Sequence, residues 1–119
     1  WFYGAAFQSC YIWERVDLNW TQAKESCLDQ GRGADLASIH SAEENAFVYG
    51  LIRRTAWVGL SDQETEGVFV NVDGTPVDFV NFGARSSQQE SRDCVYVKHF
   101  RINNWYLTDC RANRTFICK

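Results

Sequence analysis

Five cysteines in 119 residues constrain this chain more than any other feature. They stand at Cys10, Cys27, Cys94, Cys110 and Cys118. So many in a short chain point to an oxidising compartment and a disulfide-braced core. The competing reading is a zinc site, which wants Cys-x-x-Cys pairs or Cys and His at ligand spacing. Neither occurs. The nearest cysteines are Cys110 and Cys118, and His40 and His99 stand apart from them. Four cysteines admit three pairings, so spacing alone does not fix the connectivity.

The length is that of one domain, 1–119, and the 45 % hydrophobic and 15 % aromatic content suits a compact core. No apolar run is long enough for a membrane span, so no membrane insertion is expected. A net charge of −3 and scattered basic residues argue against a nucleic-acid partner. Two sequons, Asn19-Trp20-Thr21 and Asn113-Arg114-Thr115, fit secretion and are candidate glycosylation sites. The chain opens at Trp1 without an initiator Met and ends one residue beyond Cys118, as expected of a domain excised from a longer secreted or receptor protein.

Local patterns predict two early helices and mostly late strands, an α+β arrangement. Phe2-Tyr3 and Cys10 to Trp13 read as a strand pair turning near Gly4, with Trp1, Phe2 and Tyr3 serving the core or the pairing. Trp20, Ala23 and Cys27, with Leu28 beside them, line one face of a helix over 20–30. Asn19 caps it, with Gln22 three residues on, and Gly31 and Gly33 stop it. Ser41-Ala42-Glu43-Glu44 is a capping box opening a second helix to about Arg53, with Ala46, Phe47, Gly50 and Leu51 inward. Trp57 to Leu60 reads as a central buried strand. Further strands are predicted around Phe69 to Val72, weakly over Val77 to Phe82, and at Cys94 to Val97, Trp105 to Leu107 and Thr115 to Cys118. Residues 83–93 are polar and read as an exposed loop.

In order, the chain carries Gly33 to Ile39 (Gly-x-x-Leu-x-Ser-Ile), the acidic helix start Glu43-Glu44, Trp57-Val58-Gly59-Leu60, Glu66-Gly67-Val68-Phe69, Asp73 to Pro76, Asn81-Phe82, Asp93-Cys94-Val95 and Phe116-Ile117-Cys118. This series resembles the C-type lectin-like domain in its long form. The resemblance implies two helices flanking antiparallel strands, a long irregular loop, and disulfides Cys27–Cys118 and Cys94–Cys110. Cys10 would then pair with a cysteine upstream of Trp1.

The resemblance also implies a calcium and sugar site, and here the sequence departs from it. Sugar-binding members carry a Glu-Pro-Asn or Gln-Pro-Asp triplet in the long loop and a Trp-Asn-Asp triplet on a later strand. The loop here, Arg85-Ser86-Ser87-Gln88-Gln89, contains no proline, and the second triplet reads Trp105-Tyr106-Leu107. Calcium takes six to eight oxygen ligands, and leucine offers none. Asp62, Glu66 and Asp93 match residual ligands of an auxiliary calcium, with Arg92 where a glutamate usually stands. A third family calcium position ends here in Lys119, which is expected to form a weak surface pair with Glu43 or Glu44.

The expectation is a noncatalytic extracellular domain, secreted or part of a receptor, with no cofactor and no metal. A protein ligand would meet the long-loop face through Arg85, Gln88, Gln89, Glu90, Arg92 and Tyr106. The alternative is a glycan-binding lectin with residual or atypical calcium use. No Gly-x-Ser-x-Gly elbow, His-Glu-x-x-His helix or other nucleophile–base pattern suggests an enzyme.

Overall fold

A computed structural model describes residues 1–83, 92–98 and 104–119. Strand β1 (Phe2–Gly4) turns through a 3-10 segment into β2 (Ser9–Leu18). Helices α1 (Trp20–Asp29) and α2 (Ala42–Leu51) follow, then β3 (Ala56–Thr65), β4 (Val68–Asn71), β5 (Cys94–Val97), β6 (Trp105–Thr108) and β7 (Arg114–Cys118). The strands are ordered β1-β2-β7-β3-β5-β6, with β4 also on β3. Among the described strands the pairings are antiparallel except β3–β7, which is parallel, so the largely antiparallel sheet is mixed. No strand covers Val77 to Phe82; Phe82 alone forms a bridge, to Trp105.

Both predicted cross-links form, Cys27–Cys118 and Cys94–Cys110. Cys10 is exposed and free opposite Tyr3 in the β1–β2 ladder, so any partner for it lies outside these 119 residues. Phe2 and Tyr3 join the strand pair and Trp1 precedes it, but all three stay out of the core, at 53–63 % exposure.

The sheet packs two apolar clusters. One centres on Val48, Ile52, Val58, Val95, Val97, Trp105 and Ile117 beneath α2. The other gathers Trp20, Ala23, Cys27, Trp57, Phe116 and Cys118 beneath α1. Burying an indole leaves its N–H in need of an acceptor. Trp20 donates to the Val58 carbonyl at 3.0 Å, Trp57 to the Leu18 carbonyl at 2.9 Å, and Trp105 to Asn45 Oδ1 at 2.8 Å.

Helix α1 starts as the sequence predicts. Asn19 Oδ1 accepts from the Gln22 amide at 2.9 Å and Gln22 Oε1 from the Asn19 amide at 3.2 Å. Gly31 and Gly33 end it with φ of 76° and 74°, a region that costs glycine little. Helix α2 packs Phe47 and Leu51 against the core as its apolar residues suggest, but the face it buries is shifted toward polar positions. Glu44, Asn45 and Val48 are buried, while Ala46 and Gly50 are exposed. Two polar side chains take core positions because each finds partners there.

Gly59 lies where the 36–39 connector crosses β3. A Cβ at this position would stand 2.6 Å from the Leu36 carbonyl oxygen and 2.8 Å from Val72 Cγ2. Backbone cannot yield as a side-chain tip can. Gly59→Ala is therefore expected to destabilise by about 2–3 kcal/mol. Gly50→Ala, on the open face of α2 with nothing within 4 Å, should stabilise by about 0.5–1 kcal/mol. Urea midpoints of the oxidised domain measure both, and equal midpoints would refute the packing assigned to Gly59.

Candidate functional site

Strands β5 and β6 pair Tyr96 with Tyr106, Val95 with Leu107 and Val97 with Trp105. Alternation sends Val95, Val97, Trp105 and Leu107 into the α2-side core. Tyr96 and Tyr106 face the other way, with rings stacked 5.4 Å apart at 22°. The Arg114 guanidinium lies 3.7 Å from the Tyr96 ring centroid and donates to Thr55 Oγ1 at 3.1 Å. Trp57 meets Tyr96 edge-on. Tyr106 is thus the outer member of an Arg–Tyr–Tyr stack, half-buried and positioned from below.

Trp105 also anchors the stem of the long loop. Its amide donates to the Asn81 carbonyl at 2.8 Å, and its carbonyl accepts from the Gly83 amide at 3.2 Å. Phe79 and Phe82 pack edge-on against its indole, and Phe69 packs on Phe82. At the far side of the loop, the Asp62 amide donates to the Asp93 carbonyl at 2.9 Å. Of the expected contact residues, Arg92 is exposed and Tyr106 half-buried on this face. Arg85, Gln88, Gln89 and Glu90 lie outside the described residues, as does His99.

The two positions after Trp105, where sugar-binding members place calcium ligands, are used otherwise. Tyr106 stacks on Tyr96 and Leu107, half-buried, packs against the core. These residues do not fit a primary calcium. The auxiliary position differs. Asp62, Glu66 and Asp93 each bring a carboxylate oxygen within 4.8 Å of the others. Asp62 Oδ2 accepts from the Gly67 amide at 2.9 Å, while its buried Oδ1 has no hydrogen-bond partner among the described residues. Glu66 is pushed up to about 7 by desolvation, by hydrogen bonds to Asp93 and Asp62, and by their like charge. A hard divalent cation fits the same oxygens, with Arg92 as the opposing neighbour in sequence.

Lys119 makes no weak surface pair. Its Nζ lies 2.8 Å from Glu44 Oε2, and the side chains are only 17 % and 3 % exposed. Glu44 also accepts from the Tyr11 hydroxyl, and from the His40 amide at 2.7 Å. Lys119 further donates to the Ser38 carbonyl at 3.0 Å. Burial comes from α2 turning Glu44 inward beneath β2, which a linear reading of apolar residues does not register. The ammonium thus stands on the glutamate that the family's third calcium position would use.

His40 does not stand alone either. Its Nδ1 lies 2.7 Å from Asp78 Oδ1, and its Nε2 lies 3.2 Å from Ser38 Oγ and 3.1 Å from Thr75 Oγ1. The Ser–His–Asp order invites comparison with a nucleophile and its base. However, Ser38 is 1 % exposed and its hydroxyl donates to Asp73 at 2.6 Å. The buried, committed oxygen cannot meet a substrate, and the cluster serves to tie the 38–40 connector to the 73–78 turn.

The lectin C-type domain model matches residues 16–119. The chain belongs to that family. This C-type lectin domain is 32 % identical over 113 residues to lectin BRA-3 of Megabalanus rosa, covering 92 % of the chain and 70 % of that lectin. It is 38 % identical over 109 residues to the low affinity immunoglobulin epsilon Fc receptor of Mus musculus, covering 88 % of the chain but 31 % of the receptor. Its fold is similar to a calcium-independent type II antifreeze protein, with a TM-score of 0.86, 28 % identity and coverage of 92 % and 83 % of the two chains. The cow CD23 carbohydrate-recognition domain, solved with a GlcNAc2Man3 oligosaccharide, gives 0.81 at 28 % identity, covering 92 % and 84 %. Domains of this family are recognition modules, generally non-enzymatic and typically extracellular, and the two disulfides accord with that setting. Among the described residues no helix is long and apolar enough to cross a membrane.

Proposed function

We propose that this domain recognises a protein ligand through its long-loop face, outside the cell and without a calcium ion bridging to sugar. The observation that carries the reading is the commitment of Tyr106 to a stack on Tyr96 and of Leu107 to the core. Restoring calcium ligands there would mean unbuilding packed structure. The Trp105 anchor gives the loop a rigid base, and loops on rigid scaffolds make natural contact surfaces. Arg92 and Tyr106, of residue types common in interface anchors, border it, with Arg85, Gln88, Gln89 and Glu90 in the loop itself. The fold tolerates loss of the ion, since one similar structure is a calcium-independent antifreeze protein.

A second reading rests on the partnerless Asp62 Oδ1 within the three-carboxylate cluster. A cation there would support glycan binding of an atypical kind, or simply brace the loop. Two measurements separate these readings. Calorimetry with calcium, on the wild type and on Asp62→Asn, reports whether the cluster takes the ion. A glycan array with and without chelator reports whether any ion serves sugar. The expected outcome is an array without signal in both conditions, whatever the calorimetry shows. A sugar signal abolished by chelator would overturn the protein-ligand reading in favour of the second.

A further inference from the structure

The two sequons lie 94 residues apart in sequence but meet in the fold. The last pair of the β2–β7 ladder is Leu18 opposite Arg114. Asn19 and Asn113 each lie one residue beyond it, at the same corner. The Trp20 amide also donates to the Cys110 carbonyl at 3.0 Å, closing that corner from the other side. Their surroundings differ. Asn19 is half-buried and engaged at both backbone and side chain in the capping box of α1. Its next residue, Trp20, is 5 % exposed with its indole committed to Val58. Asn113 is exposed, and no hydrogen bond of its side chain appears among the described residues.

From this contrast we propose that Asn113 is the N-glycan acceptor of the domain and that Asn19 stays unmodified. The order of folding supports the same division. An acceptor asparagine is modified in an extended segment before its neighbourhood folds. The Asn19 capping box is a local contact that needs no residue beyond Gln22. Strand β7 is the reverse, because its partners β2 and β3 lie far back in the chain and Cys118 must find Cys27. Thr115 illustrates the timing. In the folded domain it is 1 % exposed, and its hydroxyl donates to the Thr55 carbonyl at 2.6 Å. The sequon can be read only before β7 docks, and β7 docks late. Once folded, Asn113 remains exposed, which leaves room for a glycan.

The inference rests on passage through the secretory route. The test supplies that route, so its failure is distinct from failure of the extracellular reading. The whole chain is expressed in human cells behind a cleavable secretion signal, and protein from both medium and microsomes is mapped by enzymatic deglycosylation in heavy-oxygen water. The expected label falls on Asn113 alone. Asn113→Gln should remove the whole glycan mass, while Asn19→Asp, which keeps a capping carboxylate oxygen, should leave it unchanged. Label on Asn19, on both asparagines, or on neither in disulfide-bonded protein would overturn the assignment.

Discussion

Replacing Lys119 by methionine should lower the unfolding free energy by about 3 kcal/mol, although the residue lies outside any strand. The cause is the stranded partner. Glu44 is 3 % exposed, and losing the ammonium leaves its carboxylate buried with only the Tyr11 hydroxyl and the His40 amide. Adding Glu44→Gln to Lys119→Met should recover part of the loss, because it removes the orphaned charge. A plain surface pair would show a cost below about 1 kcal/mol and no recovery. Acid gives an independent readout. Burial alone would raise Glu44, but hydrogen bonds from Lys119, Tyr11 and the His40 amide outweigh it and hold the group below its ordinary 4.5. A depressed carboxylate contributes stability that is complete above 4.5 and lost as pH falls through its folded value. Urea midpoints of the wild type should therefore decline below about pH 4.5, and those of Lys119→Met should decline less.

Removing the Cys27–Cys118 bridge as a pair of alanines should cost more, about 4–5 kcal/mol. The chain-entropy model gives that figure for a closed loop of 91 residues. The same model gives about 3 kcal/mol for Cys94–Cys110, whose separation is 16. Both Cys27 and Cys118 are also 0 % exposed within the α1-side cluster, so truncation removes packing as well. Urea unfolding of the two double variants should rank them in that order. The reverse ranking would mean that the long closure contributes little, through structure persisting in the unfolded chain.

Much of the fold was legible because local chemistry and global architecture agree. The Asn19–Gln22 box, the Gly31 and Gly33 stop and the buried run at Trp57 appear where local patterns place them, and both cross-links where the family resemblance does. Departures fall where a polar group is buried or a strand pairs at long range. Glu44 and Asn45 were unreadable as core because their partners, Lys119 and Trp105, lie 75 and 60 residues away. The parallel β3–β7 pairing joins segments whose alternation carries no sign of direction. At the site, the loss of ligands at Tyr106 and Leu107 was visible in the triplet itself. Their new tasks, a stack with Tyr96 and a place in the core, required the β5–β6 register. The convergence of Asp62, Glu66 and Asp93 was anticipated, but the partnerless buried oxygen of Asp62 was not.

The bridge from Cys27 to Cys118 also sets how the domain bears tension. A pull applied between Trp1 and Lys119 runs along the first 27 residues, crosses the sulfur–sulfur bond and leaves through the last residue. Everything from 28 to 117 is short-circuited. Stretching can then draw out about 90 Å of chain, against about 400 Å for the reduced polypeptide. Under load the domain is a short tether with most of its sheet, the long-loop face included, hanging slack beside the line of force.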